Sequence, residues 1–561
     1  MEQLTESQKG RIAIRTFKTT ADAVVLRGYY KLCGNSGQTL ERALKDISPE
    51  IYGTMTDPRI IELDGLEYVL DRLPVGLEEC KRVVLTAEED MEDTSFKKIL
   101  PPKRRRVSYR VGENDMCFVI TRGLSEIYDI LTHMTFLYIE AKKINAKMFD
   151  AEGNPTQKWL DIVKYLELGK KLTEKELDQA IWNLSVFLGQ TYHETKEKYE
   201  YFESYNKEKG GQGQLIKIIA NLGRAIDSEK ESEENERMVS FTPSLVDMIV
   251  RNTYGKLWAA AIKDKLRSLD LLDRPLHIIS ANLHSALNVL YAYGAVKMNK
   301  IAGKADDFFE LVNTVRDKGQ DVIKFAQKYG FYAVEDQSGS QIDWQIIDTA
   351  KLKPVVFHPD VLVDPEKIQN EEPVILVMDC AFGTQAFGVM DELLQPLDEK
   401  PAPPTKMNVR SISVMGKAGI LPGNQGDIML AAGHVSEGMP DNYPVTNDLH
   451  REDFVDYEDV YDGTIITVLG TSLQNKNVLE RFHSSNWQAV GLEMEGSHYQ
   501  RAISAAILQD HIAPDVKLRY AYYASDNPLK SGSTLAAGSM GKEGIKPTYL
   551  ITKAILQKIM A

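Results

Sequence analysis

A chain of 561 residues is longer than a single hydrophobic core usually serves, so two or three domains are expected. With 43% hydrophobic and 26% charged residues the composition is that of a soluble globular protein. A net charge of −14 excludes a surface built to coat a nucleic-acid polymer, because phosphate neutralisation needs clustered Lys and Arg.

The chain opens Met1-Glu2-Gln3-Leu4-Thr5-Glu6, without the basic-then-apolar pattern of a secretory signal. It also contains no uncharged apolar stretch of about 18 residues that would suit a membrane span. Cys33, Cys80, Cys117 and Cys380 show neither CxxC pairing nor metal-ligand spacing, which points to free thiols in a reducing interior and to no metal site. A cytoplasmic location is expected, with no membrane partner and no cofactor. Residues 1–226 read as a mainly α-helical domain. Leu124, Ile127, Leu131, Met134 and Tyr138 recur at three-and-four spacing in a helix running towards Lys147, and Leu177, Ile181, Leu184 and Leu188 do the same after Leu172. His133 and His193 have no ligand-spaced companion and read as polar bystanders. The basic run Lys103-Arg104-Arg105-Arg106 reads as a solvated loop, with an anion contact as the sharper alternative. From Asp227 the chain turns acidic and loses its apolar residues, so residues 227–250 are expected to form a linker.

Residues 251–561 alternate short apolar runs with helical segments, the mark of an α/β domain with a parallel or mixed sheet. Leu276–Ile279, Pro373–Met378, Val409–Met415, Asp427–Ala432 and Thr464–Leu469 are the expected strands. Three of these feed glycine-bearing turns at Gly383, Gly416/Gly419 and Gly423/Gly426, where backbone can approach a ligand closely. Two later pieces carry the chemistry. Gly491-Leu-Glu493-Met494-Glu495-Gly496 sets two carboxylates where a strand meets a helix, and Ser525-Asp526-Asn527-Pro528-Leu529 sets an acid at the end of another strand. Ligands of open α/β sheets bind at such carboxyl ends. An acidic pair that clamps a diol, with a distant acid that protonates a leaving group, suits cleavage of a ribosyl bond. The plainer alternatives stand beside this reading: one of Glu493 and Glu495 facing solvent, Glu495 capping the helix that follows, and Asp526-Asn527-Pro528 as an ordinary turn.

Taken in order, Ala381-Phe-Gly383-Thr-Gln385-Ala386, Gly416-Lys417-Ala-Gly419, Gly426-Asp427-Ile-Met-Leu430, Glu493-Met494-Glu495 and Ser525-Asp526 resemble the nucleoside phosphorylase/nucleosidase superfamily. Within it the Ser-Asp followed by Pro-Leu, and Pro275–Asn282 leading to Tyr293-Gly294, look most like the AMP nucleosidases. The resemblance covers roughly residues 255–561. It implies a three-layer catalytic domain behind the helical one, a purine nucleotide or nucleoside as ligand, and a homo-oligomer. It also implies residue roles. Glu495, with Glu493 beside it, would accept the ribose hydroxyls and Met494 would pack on the sugar. Asp526 would protonate the purine ring, oriented by Ser525, while Gly383, Gly416, Lys417, Asn282 and His284 would line the ligand.

The departures bear on the nucleophile. Where phosphorylases of the superfamily place a phosphate-binding Arg and a Ser or Thr, this chain has Val414 and Lys417. That favours water over phosphate, with Lys417 either contacting a ligand phosphate as a point charge or facing solvent. Asn282, His284 and Ser285 replace the basic phosphate loop, and His284 reads equally as a structural hydrogen-bonding residue. No residue stands out as the base that activates water. An AMP-like N-ribosyl hydrolase is the leading reading. A phosphate-dependent phosphorylase and a non-catalytic nucleotide-binding regulator are its rivals.

Overall fold

The computed structural model describes residues 4–87, 91–104, 106–167, 172–205, 213–298, 300–301, 306–397, 404–455, 457, 459–530 and 540–561. Its contacts divide the chain into two units, residues 1–120, 126–250 and 472–478 in one, and 121–125, 251–471 and 479–561 in the other. No helix among the described residues is long and apolar enough to cross a membrane.

The first unit is richer in sheet than its sequence suggests. Around its helices it carries β1 (Tyr29–Lys31), β2 (Arg82–Thr86), β3 (Lys97–Lys98), β4 (Val107–Gly112), β5 (Asp115–Val119) and β6 (Met238–Phe241), in the order β1-β6-β2-β5-β4-β3. Each strand is too short for a period-two pattern to outweigh the helical stripes beside it. The acidic stretch expected as a linker is folded. Residues Gln214–Glu231 form a helix with Leu222 and Ile226 buried, and β6 pairs with β1 and β2. Some of the acids do structural work: Glu229 accepts from the Tyr138 hydroxyl at 2.8 Å and from the Arg237 N–H at 3.1 Å. The basic run is not a free loop either. Lys103 pairs with Asp71 at 2.6 Å, and buried Arg106 pairs with Asp129 at 2.8 Å. Arg105 lies outside the described residues.

The second unit is built on a ten-stranded sheet of β7 (Leu276–Ser280), β8 (Phe331–Val334), β9 (Trp344–Asp348), β10 (Val374–Met378), β11 (Val409–Ile420), β12 (Ile428–Ser436), β13 (Asn442–Pro444), β14 (Val460–Thr467), β15 (Ala489–Glu493) and β16 (Lys517–Asp526). The main path runs β13-β12-β14-β15-β11-β7-β10-β9-β8, and β16 bonds to both β11 and β12. The pairing therefore closes a ring through β12, β14, β15, β11 and β16, while β7 to β10 extend it as an open sheet. Alternate residues feed two cores. Ile279, Ile375 and Val377 pack with the helices Leu283–Lys297 and Ile545–Met560. Their strand neighbours Ile278, Leu376 and Met378 pack with Thr253–Ser268, Gln385–Leu394 and Gly496–Leu508. Strands apolar at every position, such as Val374–Met378, are what a sheet covered on both faces requires.

One expected turn is absent. Gly416 and Gly419 lie inside β11, which runs on to Ile420. The strand continues because β16 pairs with it from Ser411 to Gly419, with one register shift before Gly419, so the backbone groups a turn would have freed are already bonded.

Candidate functional site

Two strand ends and one loop bring the site together. β16 ends at Asp526, and its register against β11 shifts so that Ala418 faces Ala524 while Gly419 faces Asp526. Ser525 is the extra residue of this bulge, a device that re-aims a side chain at a strand end. Its hydroxyl sits between the Ala418 carbonyl, at 3.1 Å, and Oδ1 of Asp526. Oδ2 of Asp526 is buried and has no partner among the described residues. Burial pushes the Asp526 carboxyl up to about 6, against smaller downward pulls from the Ser525 hydroxyl and the Lys417 charge. Asn527 is more than a turn residue. Its amide donates to the carbonyls of Leu421 and Gly423, both at 2.9 Å, and ties the acid's strand to the loop after β11.

The second strand end carries the carboxylate pair. Glu493 closes β15 and is 3% exposed. It accepts from the Thr467 hydroxyl at 2.6 Å, from the N–H of Glu495 at 2.6 Å, and from the N–H of Gly496 at the start of the next helix. Those three bonds fix Glu493 at the strand-to-helix junction. Glu495 is half-buried, and its Oε1 accepts the Gly383 N–H at 2.8 Å. Burial raises both carboxyls above the ordinary value, and the charge of Glu493 raises Glu495 further. Beside Glu493, His434 is buried and held neutral by that burial, so it supplies no counter-charge. Met494 packs at 7% exposure between the two acids.

The loop after β10, residues 379–384, completes this edge. Gly383 has φ +55°, and a Cβ there would lie 2.1 Å from the Ser125 hydroxyl oxygen. Ser125 belongs to the same unit and accepts the Thr384 N–H at 2.9 Å. The Arg122 guanidinium lies 5.9 Å from the centroid of the Phe382 ring. Cys380 keeps an exposed side chain, yet surrounding protein pushes its thiol up to about 12, with Asp379 and Glu495 adding to the rise. Gly383→Ala should destabilise the protein by more than the roughly 1–2 kcal/mol that a left-handed side-chain residue costs, because the clash with Ser125 adds to it. Ser125→Gly in the same chain should recover only the part due to the clash. Urea midpoints of the single and double variants measure both.

The remaining expected residues gather round a cavity of 1170 Å³ lined by Asn282, His284, Arg316, Lys417 and Tyr549, among others. Asn282 caps the helix Leu283–Lys297, accepting the Ser285 N–H at 3.1 Å. Asn288 donates to the Tyr549 hydroxyl at 2.8 Å, and that hydroxyl lies 3.2 Å from Nδ1 of His284. Burial first, then Arg316, keeps the His284 ring neutral. Lys417 is exposed and faces both the cavity and, electrostatically, Asp526. Gly416 is not among the residues that line the cavity; it has open space where a Cβ would stand. Val414 is buried in the sheet core and presents nothing to an anion. Among the described residues no cluster of three or more His, Cys, Asp or Glu suits a metal ion. Ser125, Asp379, Cys380 and Thr467 complete the site. Of these, only Asp379 carries a sequence signal, as the acid directly after the apolar run Pro373–Met378.

The model of a family of unknown function (DUF6909) matches residues 38–308 and 304–561, and the chain belongs to that family. No curated protein matches it. Among solved structures it is similar to the 5′-methylthioadenosine/S-adenosyl homocysteine nucleosidase of Campylobacter jejuni, with 12% identity over 51% of this chain and 98% of that one and a TM-score of 0.29. The native futalosine hydrolase of Helicobacter pylori strain 26695 is 11% identical over 51% of this chain and 98% of its own, with a TM-score of 0.31. The 5′-methylthioadenosine/S-adenosylhomocysteine nucleosidase of Colwellia psychrerythraea 34H, in complex with adenine, gives 12%, 51%, 96% and 0.26 for the same four measures.

Proposed function

We propose that this member of the family is an N-ribosyl hydrolase that cleaves the N-glycosidic bond of a purine nucleotide or nucleoside. The observation that carries the reading is Asp526. One carboxyl oxygen is engaged by Ser525, the other is buried and has no partner among the described residues, and the group titrates near 6. Such an acid holds a proton for donation close to neutral pH, where an ordinary aspartate has none to give. In the proposed reaction Asp526 delivers that proton to a purine ring nitrogen as the bond to the anomeric carbon breaks, so the base leaves neutral. Glu495, ionised, accepts the ribose 2′- and 3′-hydroxyls and stabilises the positive charge growing on the sugar. Water adds to the anomeric carbon and loses a proton, giving the free sugar.

The cavity bordered by Lys417, His284 and Arg316 supports a substrate with an anionic group on its 5′ side. Lys417→Ala should raise KM for a purine 5′-nucleotide by about 3- to 10-fold and leave that for the nucleoside nearly unchanged, the scale of one exposed charged contact. Equal effects on the two ligands would remove Lys417 from phosphate binding. Val414 in place of an arginine denies inorganic phosphate a bidentate partner, which favours water as nucleophile. The test is chromatography of the protein incubated with purine nucleosides and nucleotides, with and without phosphate. Free base with ribose or ribose 5-phosphate is expected. Ribose 1-phosphate as the major product would replace the hydrolase by a phosphorylase, and no cleavage of any purine compound would leave a binding protein.

A further inference from the structure

The cavity beside the site is larger than a nucleoside's own contacts require. Its 1170 Å³ exceeds the roughly 300–1,000 Å³ of an ordinary small-ligand pocket. Neither Glu495 nor Asp526, the acids assigned to sugar and base, lines it. The space therefore serves what the substrate carries beyond its nucleoside.

The sheet sets the length of that space. Lys417 stands on β11 and Gln345 on β9, with β7 and β10 between them, and both residues line the cavity. Strands lie about 4.8 Å apart, so the two positions are separated by about 14 Å across the sheet. One phosphate group is too short to reach both. The chemistry of the lining changes along the way. Towards β11 and β7 stand Lys417 and the N-termini of the helices Leu283–Lys297 and Ile545–Met560, which suit anionic groups. Arg316 adds a further cation to the lining.

Away from β11 the lining turns to acceptors. Ile347, two residues on from Gln345, packs in one core with Leu287 and Tyr549, while Trp344 and Ile346 pack in the other. Alternation along the strand therefore turns Gln345 to the face of Leu287 and Tyr549, both of which line the cavity. Gln345 is 5% exposed, and its Oε1 has no partner among the described residues. Asn288, one helical turn beyond His284, is 5% exposed as well. Its amide donates to Tyr549, and its Oδ1 is likewise without a partner among the described residues. Glu335 and Asp343, beside β8 and β9, also line the cavity. Buried amide oxygens are costly to leave unmatched, so they call for hydrogen-bond donors from a ligand. A hydroxyl suits them best, since it can meet an amide in either orientation and can also donate to the carboxylates. A further phosphate there would face two acids.

We propose that the substrate is a purine nucleotide joined through its 5′-phosphate to a hydroxyl-bearing group, the class of nucleotide sugars and dinucleotides. This rests on the hydrolase reading given above and extends it. The phosphates lie towards Lys417 and Arg316, and the hydroxyls of the far group donate to Asn288 and Gln345. Water adds to the anomeric carbon, the purine leaves with the proton from Asp526, and the far group stays attached to the released sugar through its phosphate.

The experiment titrates adenosine 5′-monophosphate and ADP-ribose calorimetrically into protein carrying Asp526→Asn, which spares the ligands, with and without Gln345→Met. ADP-ribose should bind at least about 10-fold more tightly than the monophosphate. Gln345→Met should weaken ADP-ribose by about 5- to 20-fold and leave the monophosphate within about twofold. It should also raise the urea midpoint of the empty protein, because an apolar chain of similar shape replaces a buried oxygen that has no partner. Equal affinity for the two compounds, or no binding of either, overturns the proposal. A lowered urea midpoint with both compounds weakened alike also overturns it and makes Gln345 structural. Adenine release by wild type is followed separately by chromatography. Release from the monophosphate with no advantage for ADP-ribose sinks this proposal and leaves the hydrolase standing. Tight ADP-ribose binding that Gln345→Met weakens, with no adenine released from either compound, upholds the cavity's ligand and removes the hydrolase.

Discussion

Asp526→Asn should lower turnover by about 10²–10⁴-fold while ligand affinity changes only a few-fold. Asparagine matches the carboxyl in shape and still accepts from the Ser525 hydroxyl, so what disappears is the transferable proton. The pH dependence carries the sign of an acid. The reaction needs Asp526 protonated and Glu495 ionised, and burial pushes these carboxyls up to about 6 and about 8. In the free protein kcat/KM should therefore be level between those values and fall about tenfold per pH unit above about 8. Ser525 holds the carboxyl down, which makes Ser525→Ala the informative companion. Losing that hydroxyl should move the corner near 6 to higher pH with a smaller loss of rate, whereas loss of the acid abolishes the fall above about 8. Stability gives an independent check. A carboxyl raised from 3.8 to about 6 contributes stability that is full below 3.8 and lost as pH rises through about 6. Asp526→Asn should flatten that part of the unfolding profile. Wild-type turnover in the Asn variant would remove Asp526 from the mechanism.

The chemistry-bearing pieces were legible because each sits at a boundary that apolar runs announce. Ala489–Leu492 leads into Glu493-Met494-Glu495, and Leu518–Tyr523 leads into Ser525-Asp526; both are strands in the structure. Which acid of the pair is bound into its own strand-to-helix junction was not legible. Alternation along a strand assigns faces only while the strand lasts, and β15 stops at Glu493. Beyond it the backbone turns so that Glu493 receives the N–H groups of Glu495 and Gly496. The Gly416–Gly419 pair misled for a related reason. A glycine spacing that reads as a turn is equally compatible with a strand whose partner, β16, lies a hundred residues away in sequence. The first unit failed differently, because β1 and β6 are three and four residues long and become strands only by pairing, β1 with β6 and β6 also with β2. Ser125 left no trace at all: its contact with Thr384 spans 259 positions and depends on a left-handed glycine between Phe382 and Thr384. Long-range hydrogen bonds of this kind have no periodicity to betray them.

Glu495→Gln should erase the preference for ribose over 2′-deoxyribose, which in wild type is expected to be about 5- to 150-fold. A carboxylate that accepts two hydroxyls is left with an unfilled acceptor by the deoxy analogue, a cost of about 1–3 kcal/mol. Glutamine still offers an oxygen to the Gly383 N–H, so the loop anchor survives while one sugar contact becomes a donor facing a donor. Calorimetric titration in an Asp526→Asn background measures the affinities without consuming the ligand. The proton linkage runs in opposite directions for ligand and fold. Burial and the neighbouring Glu493 raise the Glu495 carboxyl above its ordinary 4.5, so sugar binding, which needs the ionised form, should strengthen as pH rises through the raised value. The same shift gives the empty protein stability that is full below 4.5 and lost as pH rises through the folded value. Ligand should therefore protect the fold most at the alkaline end of that window, where the empty site holds two unneutralised carboxylates side by side. Equal binding of ribo- and deoxyribo-ligands, with a silent Glu495→Gln, would reduce Glu495 to a brace for the Gly383 loop.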